Sequence, residues 1–433
     1  MKEYLLGKIV SHIKKWHLLK GGERVLLAVS GGADSVFMTE MFFDLARIFR
    51  VEFECVHVNH GLRGQESIRD EEFVRDYCAK KGVSLTVKRL DNLDITQSGV
   101  EEKARLERYR LFYEILEERN LDFVATAHTM DDNAETMLFN LLRGSGVAGI
   151  AGIPPISNRV IRPILPVRRE EILEYLQAQN IEYVIDSTNT EERYTRNYIR
   201  KRILPLFRRI NPDYLEHMFR TSLILRNLEE WSKSRVKELE DKILHASDLV
   251  HVYRISNDVL PDVVYVNLLK TYVESPSYEE VNQFLSVLHD KGRIILRNLE
   301  IAHNYGELAF ILGIYRMKKI INGRVDIFTE RNMNYKVEVR EGKARGMMEC
   351  QIDDSFFPLV IRTKQRGDRI GRKKLKDRFI DLKIPYWRRK FWPVFEKNGE
   401  IFFVPGLFKR EVKNGNLKLE VKKYDAKRFS IFD

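Results

Sequence analysis

Ser30-Gly31-Gly32-Ala33-Asp34-Ser35 follows the apolar run Val25 to Val29 and precedes a helical pattern from Val36 to Phe49. A strand, a tight turn and a helix start in that order make a phosphate cradle. The paired glycines let the backbone approach an anion closely, while successive N–H groups and the helix N-terminus aim positive partial charge at it. Ser30 and Ser35 add hydroxyls. Asp34 repels phosphate, so the chemistry expected of it is to hold a magnesium ion bridging phosphate oxygens. The loop is not a Walker A, because no Gly-Lys-Ser/Thr follows at the required spacing.

Four further groups of residues could do chemistry beside such a loop. His57 sits within a strand pattern and reads as a satisfied core histidine, whereas His60 follows that strand next to Gly61 and could meet nucleotide or substrate. Glu101, Glu102 and Arg105 lie on a charged helix whose plainest account is a solvated face with i,i+4 pairs. His128, Asp131, Asp132 and Glu135 open another helix, with Asp132 and Glu135 on one face. Asp131 is explained as a partner for the helix dipole, and Asp132 could hold magnesium together with Asp34. Asp186-Ser187-Thr188-Asn189, then Arg193, Arg196, Asn197 and Arg200, form a turn and a basic helix start suited to RNA backbone or an adenylate phosphate.

The elements that must position these residues alternate β-rich runs (Val25 to Val29, Val51 to Val58, Ser84 to Leu90, Phe123 to Ala127) with amphipathic helices. That alternation predicts an α/β fold, a Rossmann-like parallel sheet with crossover helices, whose ligands bind at the carboxyl ends of the strands. Residues 1–212 are read as this domain, 213–322 as a mostly helical middle domain and 323–433 as a small basic α+β domain. The chain of 433 residues carries a net charge of +11. Thirteen basic and three acidic residues fall between Arg362 and Lys390, so nearly all the surplus sits in one segment, as a polyanionic partner requires. Phe379, Tyr386, Trp387, Phe391 and Trp392 are interleaved there, and stacking on RNA bases competes with a core role for them; Trp392 is read as core. Cys55, Cys78 and Cys350 are too scattered for a disulfide framework, a zinc site or a paired iron–sulfur site, and read as buried thiols. No run approaches about 18 apolar residues and the first twenty residues have no secretory pattern, which predicts a cytoplasmic protein with no membrane partner.

The loop resembles the PP-loop of the N-type ATP pyrophosphatases, which split ATP to AMP and pyrophosphate. Taken in order, Ser30 to Ser35, His57 to Arg63, Glu102-x-Ala104-Arg105, His128-x-x-Asp131-Asp132-x-x-Glu135-Thr136, Arg143-Gly144-Ser145-Gly146 and Asp186-Ser187-x-Asn189 to Arg200 resemble the bacterial tRNA(Ile)-lysidine synthetase family. Arg366-Gly367-Asp368-Arg369, Lys373-Lys374-Leu375-Lys376, Ile384-Pro385, Trp392-Pro393-Val394 and Val404-Pro405-Gly406-Leu407 are similar to that family's C-terminal substrate-binding domain. The likeness is weakest over 213–322.

This resemblance implies an AMP-forming carbon–nitrogen ligase that joins free L-lysine to C2 of the wobble cytidine (position 34) of isoleucine tRNA with a CAU anticodon. ATP adenylates the cytidine, lysine displaces AMP, and decoding changes from AUG to AUA. The cofactors implied are ATP and Mg2+. By position, Ser30, Gly31, Gly32, Ala33, Asp34 and Ser35 bind the nucleotide with His60, and Asp34 and Asp132 hold the metal, Asp132 alternatively deprotonating lysine. Arg105 and Glu135 lie near the target cytidine or its adenylate. Asn189, Arg196, Asn197 and Arg200 position RNA and the intermediate, and Arg366, Arg369, Lys373, Lys374 and Lys376 bind tRNA. The sequence leaves oligomeric state open, a homodimer included. Three other readings fit the loop alone: a PP-loop tRNA thiolase, which commonly needs reactive cysteine pairs; a small-molecule amidating ligase, which leaves the basic segment unexplained; and a non-catalytic RNA-binding protein, which leaves Asp34 and Asp132 unexplained.

Overall fold

The computed structural model describes residues 1–59, 65–90, 100–185, 195–255, 260–312, 317–322, 328–330, 333, 335–413, 415–423 and 431–432. The chain divides into two compact units, Met1–Glu230 and Trp231–Asp433. In the first, α1 (Lys2–Lys15), β1 (Arg24–Ala28), α2 (Ala33–Phe49), β2 (Glu52–Asn59), α3 (Gln65–Lys81), β3 (Leu85–Arg89), α4 (Val100–Glu118) and β4 (Phe123–Ala125) alternate as expected. There follow α5 (Met130–Leu142), α6 (Val147–Ile150), β5 (Ile156–Ser157), β6 (Val160–Ile161), α7 (Arg169–Ala178), α8 (Thr195–Tyr198), α9 (Leu204–Ile210) and α10 (Tyr214–Asp241).

Six strands form one sheet in the order β3-β2-β1-β4-β6-β5, parallel except for the short β5–β6 pair. Period-two alternation gives the sheet two apolar faces. Val25 and Leu27 of β1 pack in one core with Leu5, Ile9 and Ile13 of α1 and Phe37, Met41 and Phe42 of α2, while Leu26 packs with Phe112, Ile115 and Leu116 of α4. From β1 the chain winds outward through β2 and β3, then returns to place β4 on the other side of β1. The β1/β4 boundary is therefore the topological switch point, where such sheets bind ligands.

In the second unit, β7 (Ile243–Ala246), β8 (Val250–Arg254), β9 (Gly292–Leu296), β10 (Leu299–Asn304) and β11 (Glu307–Ile311) form an antiparallel sheet in the order β7-β8-β11-β10-β9. Helices α11 (Asp262–Lys270) and α12 (Tyr278–Asp290) pack on it through Leu268 and Phe284. The stretch read as mostly helical thus also carries this five-stranded sheet. Its clearest local cue is Tyr305-Gly306, both at positive φ (52° and 76°), the two-residue turn that matches the twist of a β-hairpin.

The remaining strands are β12 (Lys318–Ile321), β13 (Phe328–Glu330), β14 (Tyr335–Glu341), β15 (Glu349–Ile352), β16 (Leu359–Thr363), β17 (Arg369–Ile370), β18 (Lys373–Lys374), β19 (Pro393–Lys397), β20 (Glu400–Val404), β21 (Phe408–Lys409) and β22 (Leu417–Lys423), with short helices α13 (Leu375–Asp381) and α14 (Tyr386–Phe391). They form the antiparallel sheets β12-β16-β19-β20-β21 and β13-β14-β22-β15 and the small hairpin β17-β18. Val250, Val252, Ala309 and Ile311 share one core with Tyr335, Ile361, Trp387 and Leu419, so the segments on either side of residue 322 pack together.

A buried charge network ties this unit. Glu307 accepts hydrogen bonds from Arg388 Nη2 at 2.7 Å and Trp387 Nε1 at 2.8 Å, and all three residues are buried. Removing one partner leaves an uncompensated charge, so Glu307→Ala is expected to cost about 3–5 kcal/mol. Urea unfolding of the purified variant measures this, and a cost below about 1 kcal/mol would show that water replaces the carboxylate.

Candidate active site

The loop after β1 is built from its own side chains. Gly31 has φ +91°, and a Cβ there would lie 3.2 Å from Val74 and 3.3 Å from Val184, so a larger residue meets both backbone strain and crowding. Ser35 Oγ donates to the Gly32 carbonyl at 2.9 Å and accepts from Ser30 N–H at 3.2 Å, and the two serine hydroxyls lie 3.2 Å apart. Ser35 is buried, so its hydroxyl holds the turn. Gly32, extended at φ −72° and ψ 162°, caps α2, whose first-turn N–H groups have no acceptor within the helix and face the loop.

Asp34 is the second residue of α2. Its Oδ1 is buried with no hydrogen-bond partner, while Oδ2 lies 3.7 Å from Arg169 Nη1. Burial, aided by the nearby Asp132 and Asp131 carboxylates and opposed by Arg169 and Arg200, pushes its carboxyl up to about 6. A buried carboxylate oxygen without a partner is costly unless a ligand meets it. Magnesium, which is held by one or two carboxylates plus phosphate oxygens, fits that atom. Among the described residues no group of three or more His, Cys, Asp or Glu side chains forms a self-sufficient metal cage.

Asp132 stands at the start of α5, where Thr129 is the N-cap. Its Oδ2 accepts from Thr129 N–H at 2.8 Å and Thr129 Oγ at 2.9 Å, a capping box, and its Oδ1 accepts from Arg200 Nη2 at 3.1 Å. Asp131 accepts from the backbone N–H of Arg169 at 2.8 Å, fastening the start of α7. Glu135, almost fully buried, takes Arg200 Nη2 at 3.0 Å and Nε at 2.5 Å. Burial raises the Glu135 carboxyl against the pull of Arg200.

Arg200 reaches these acids from a π-helical turn, Ile199–Ile203, between α8 and α9. Pro205 follows it. Proline has no N–H to offer the Lys201 carbonyl and its ring crowds that carbonyl, so the widened turn absorbs the misfit. The loop, Asp34, Asp131, Asp132, Glu135, Arg169 and Arg200 therefore meet at the carboxyl edge of β1 and β4.

Comparison with known proteins matches residues 5–207 to a PP-loop domain and residues 359–420 to the TilS substrate C-terminal domain. A tRNA(Ile)-lysidine synthase of Clostridium perfringens is 31% identical over 440 residues, covering 92% of this chain and 94% of the relative. The same name belongs to relatives in Clostridioides difficile (32% identical, 92% and 94% covered) and Thermosipho africanus (29%, 96% and 98%). The chain belongs to the tRNA(Ile)-lysidine synthase family. Its ligase character and its place in the PP-loop superfamily follow.

Other expected site residues of this family member fall into three groups. Arg105 is exposed on α4, with its guanidinium 5.8 Å from the centre of the Tyr109 ring. Asn197 is half-buried on α8. His60, Asn189 and the Arg196 side chain lie outside the described residues. Arg169 was not anticipated; the only hint was its place at the start of α7 in Arg168-Arg169-Glu170-Glu171.

In the basic segment the structure separates two kinds of cation. Arg362 is buried against Asp368 at 2.8 Å and Glu396 at 2.7 Å, and Arg388 against Glu307, so these serve the fold. Arg366, Arg369, Arg372, Lys373, Lys374 and Lys376 are exposed on and around the β17–β18 hairpin, and none of them makes an ion pair among the described residues. Phe379, Trp387, Phe391 and Trp392 are buried and Tyr386 is half-buried, which removes base stacking from that segment and leaves charge. His57 is core, its Nδ1–H donating to the Val29 carbonyl at 2.8 Å, and all three cysteines are free and buried. No helix among the described residues is long and apolar enough to cross a membrane.

Proposed function

We propose that the chain is a cytoplasmic enzyme that ligates free L-lysine to C2 of the wobble cytidine of CAU-anticodon isoleucine tRNA, forming lysidine, AMP and pyrophosphate and changing decoding from AUG to AUA. The observation that carries this reading is the unpartnered, buried Asp34 oxygen beside a glycine phosphate loop, in a chain matched over 92% of its length by a relative named tRNA(Ile)-lysidine synthase. In the first step the cytidine O2 attacks the α-phosphate of ATP and pyrophosphate leaves. The loop N–H groups and the α2 N-terminus stabilise charge on the departing group. Magnesium held by Asp34, with Asp132 as the second carboxylate, supplies charge neutralisation there when bound. In the second step the lysine ε-amine attacks C2 and expels AMP. Alternatively to holding the metal, Asp132, once Arg200 releases its Oδ1, is the carboxylate that takes the amine's proton; Glu135, Arg105, Asn189, Arg196, Asn197 and Arg200 serve the cytidine, the RNA and the intermediate.

Incubating the protein with ATP, lysine and tRNA, then digesting the tRNA and weighing its nucleosides by mass spectrometry, tests the reading. A cytidine heavier by lysine less one water is expected; ATP turnover without any nucleoside change would point to a small-molecule ligase.

The exposed Arg366, Arg369, Lys373, Lys374 and Lys376 support tRNA binding by the second unit. Neutralising Lys373, Lys374 and Lys376 together is expected to weaken tRNA binding and to flatten its salt dependence by up to about 0.9 log unit for each duplex phosphate left without its cation. Filter binding across a salt series measures both, with turnover recovering at saturating tRNA. Unchanged affinity and slope would return these lysines to a merely solvated face.

A further inference from the structure

A second cationic cluster lies in the first unit, near His128. Tyr109 of α4 is its hub. The guanidinium groups of Arg105 and Arg108 sit 5.8 and 5.9 Å from the centre of its ring, and Arg162 lies close enough to Tyr109 for the two to interact electrostatically. Arg162 directly follows β6, and the neighbouring strand end is pinned to it where Thr126 N–H meets the Ile161 carbonyl at 3.0 Å. The cluster therefore stands at the carboxyl edge of the sheet, where ligands bind.

Among the described residues none of the three has a carboxylate within ion-pair distance. Arg162 is 6% exposed, spends one nitrogen on the Pro154 carbonyl at 2.7 Å, and has its Nε buried with no partner. Arg108 is half-buried, and burial lowers its pKa and that of Arg162, with Arg105 adding repulsion to both. His128, hydrogen-bonded to Thr126 at 3.0 Å, is pushed down to about 4 by burial and by the same arginines, against the pull of Asp132. Three converging cations without an acid cost the fold energy, and such arrangements persist where an anion completes them.

We propose that Arg105, Arg108 and Arg162, gathered on Tyr109, bind a backbone phosphodiester of the RNA strand that carries the target base. This rests on the reading above that the substrate is RNA. Exposure grades from Arg105 outward to Arg162 inward, which suits an anion carried on a long chain passing the mouth of the site. Planar guanidinium forks match the two charged oxygens of a phosphodiester.

The test crosses protein and RNA changes. Arg108→Met keeps the volume of the stem and removes the charge. The RNA is a synthetic CAU anticodon stem-loop carrying one uncharged methylphosphonate linkage at a time through the loop. Arg108→Met is expected to weaken binding of the unmodified loop about tenfold and to lower the salt slope by about 0.7 for one single-strand phosphate. At one linkage near the target cytidine, the methylphosphonate should weaken wild-type binding similarly and leave the variant's binding unchanged. Should Arg108→Met fail to fold, the exposed Arg105→Gln carries the same test.

Additive effects at every linkage overturn the proposal. So does weakened binding of ATP alone, which would assign the anion to the triphosphate, or a raised lysine KM at unchanged RNA affinity, which would assign it to a free carboxylate. A wild-type protein that makes lysidine but shows no coupling sinks this site and leaves the function standing. A wild-type protein that makes no lysidine yet shows the coupling sinks the function and keeps an RNA phosphate site.

Discussion

Asp34→Asn is expected to lower pyrophosphate release by about a thousandfold or more while leaving tRNA affinity within about twofold of wild type. The substitution preserves shape and removes the one carboxylate whose oxygen is buried beside the phosphate loop without a partner. The same change should raise the stability of the unliganded protein. Burial holds the Asp34 carboxyl at about 6, above its ordinary 3.8, so the ionised form is disfavoured by the fold. The unfolded chain ionises first as pH rises from 3.8 toward about 6, and the wild type loses stability across that window. The asparagine variant has no such loss. Thermal unfolding in magnesium-free buffer at several pH values reads the stability, and a pyrophosphate assay reads the chemistry. Wild-type turnover in the variant would remove Asp34 from the site; lower stability at neutral pH would mean that the ion pair of Oδ2 with Arg169 outweighs the cost of burying the carboxylate.

A gain in stability joined to a loss of activity separates a functional group from a structural one. Glu307 is the contrast within the same chain. Its carboxylate is buried too, but both oxygens are met by Arg388 and Trp387, so its removal costs the fold.

How much of this was legible in the sequence depends on how local each cause is. The phosphate loop, the strands around it and the capping run at Asp132 are set by residues within a few positions of one another, and β1, β2, β3 and β4 lie within two residues of their expected bounds. The clamp by Arg200 joins residues 65 and 68 positions apart, and no periodicity encodes such a pairing. Arg169 was invisible for the same reason, since its meeting with Asp34 depends on α7 packing against α2. The middle sheet falls outside the helical reading although one signal for it, the Tyr305-Gly306 turn, is local. In the basic segment composition alone could not separate Arg362 and Arg388, which neutralise buried acids, from the exposed lysines of the β17–β18 hairpin.

Arg200→Ala is expected to cost the protein both stability and turnover, for reasons that can be told apart. Removing the guanidinium leaves Glu135 and the Oδ1 of Asp132 without their cation, and breaking a buried pair in this way costs about 3 kcal/mol or more. Arg200→Lys should recover little, because one ammonium cannot reproduce a fork that spans two carboxylates. Glu135→Gln in the same chain as Arg200→Ala removes the stranded charge, so the double variant should be more stable than Arg200→Ala alone, with a coupling of about 1–3 kcal/mol in urea unfolding. Turnover should not follow. If Arg200 also serves the RNA and the intermediate, the double variant regains its fold and stays about a hundredfold slower than Glu135→Gln alone at saturating substrates. Turnover equal to that of Glu135→Gln alone would reduce Arg200 to a strut for Glu135, and an Arg200→Ala protein as stable as wild type would mean that the clamp does not form in solution.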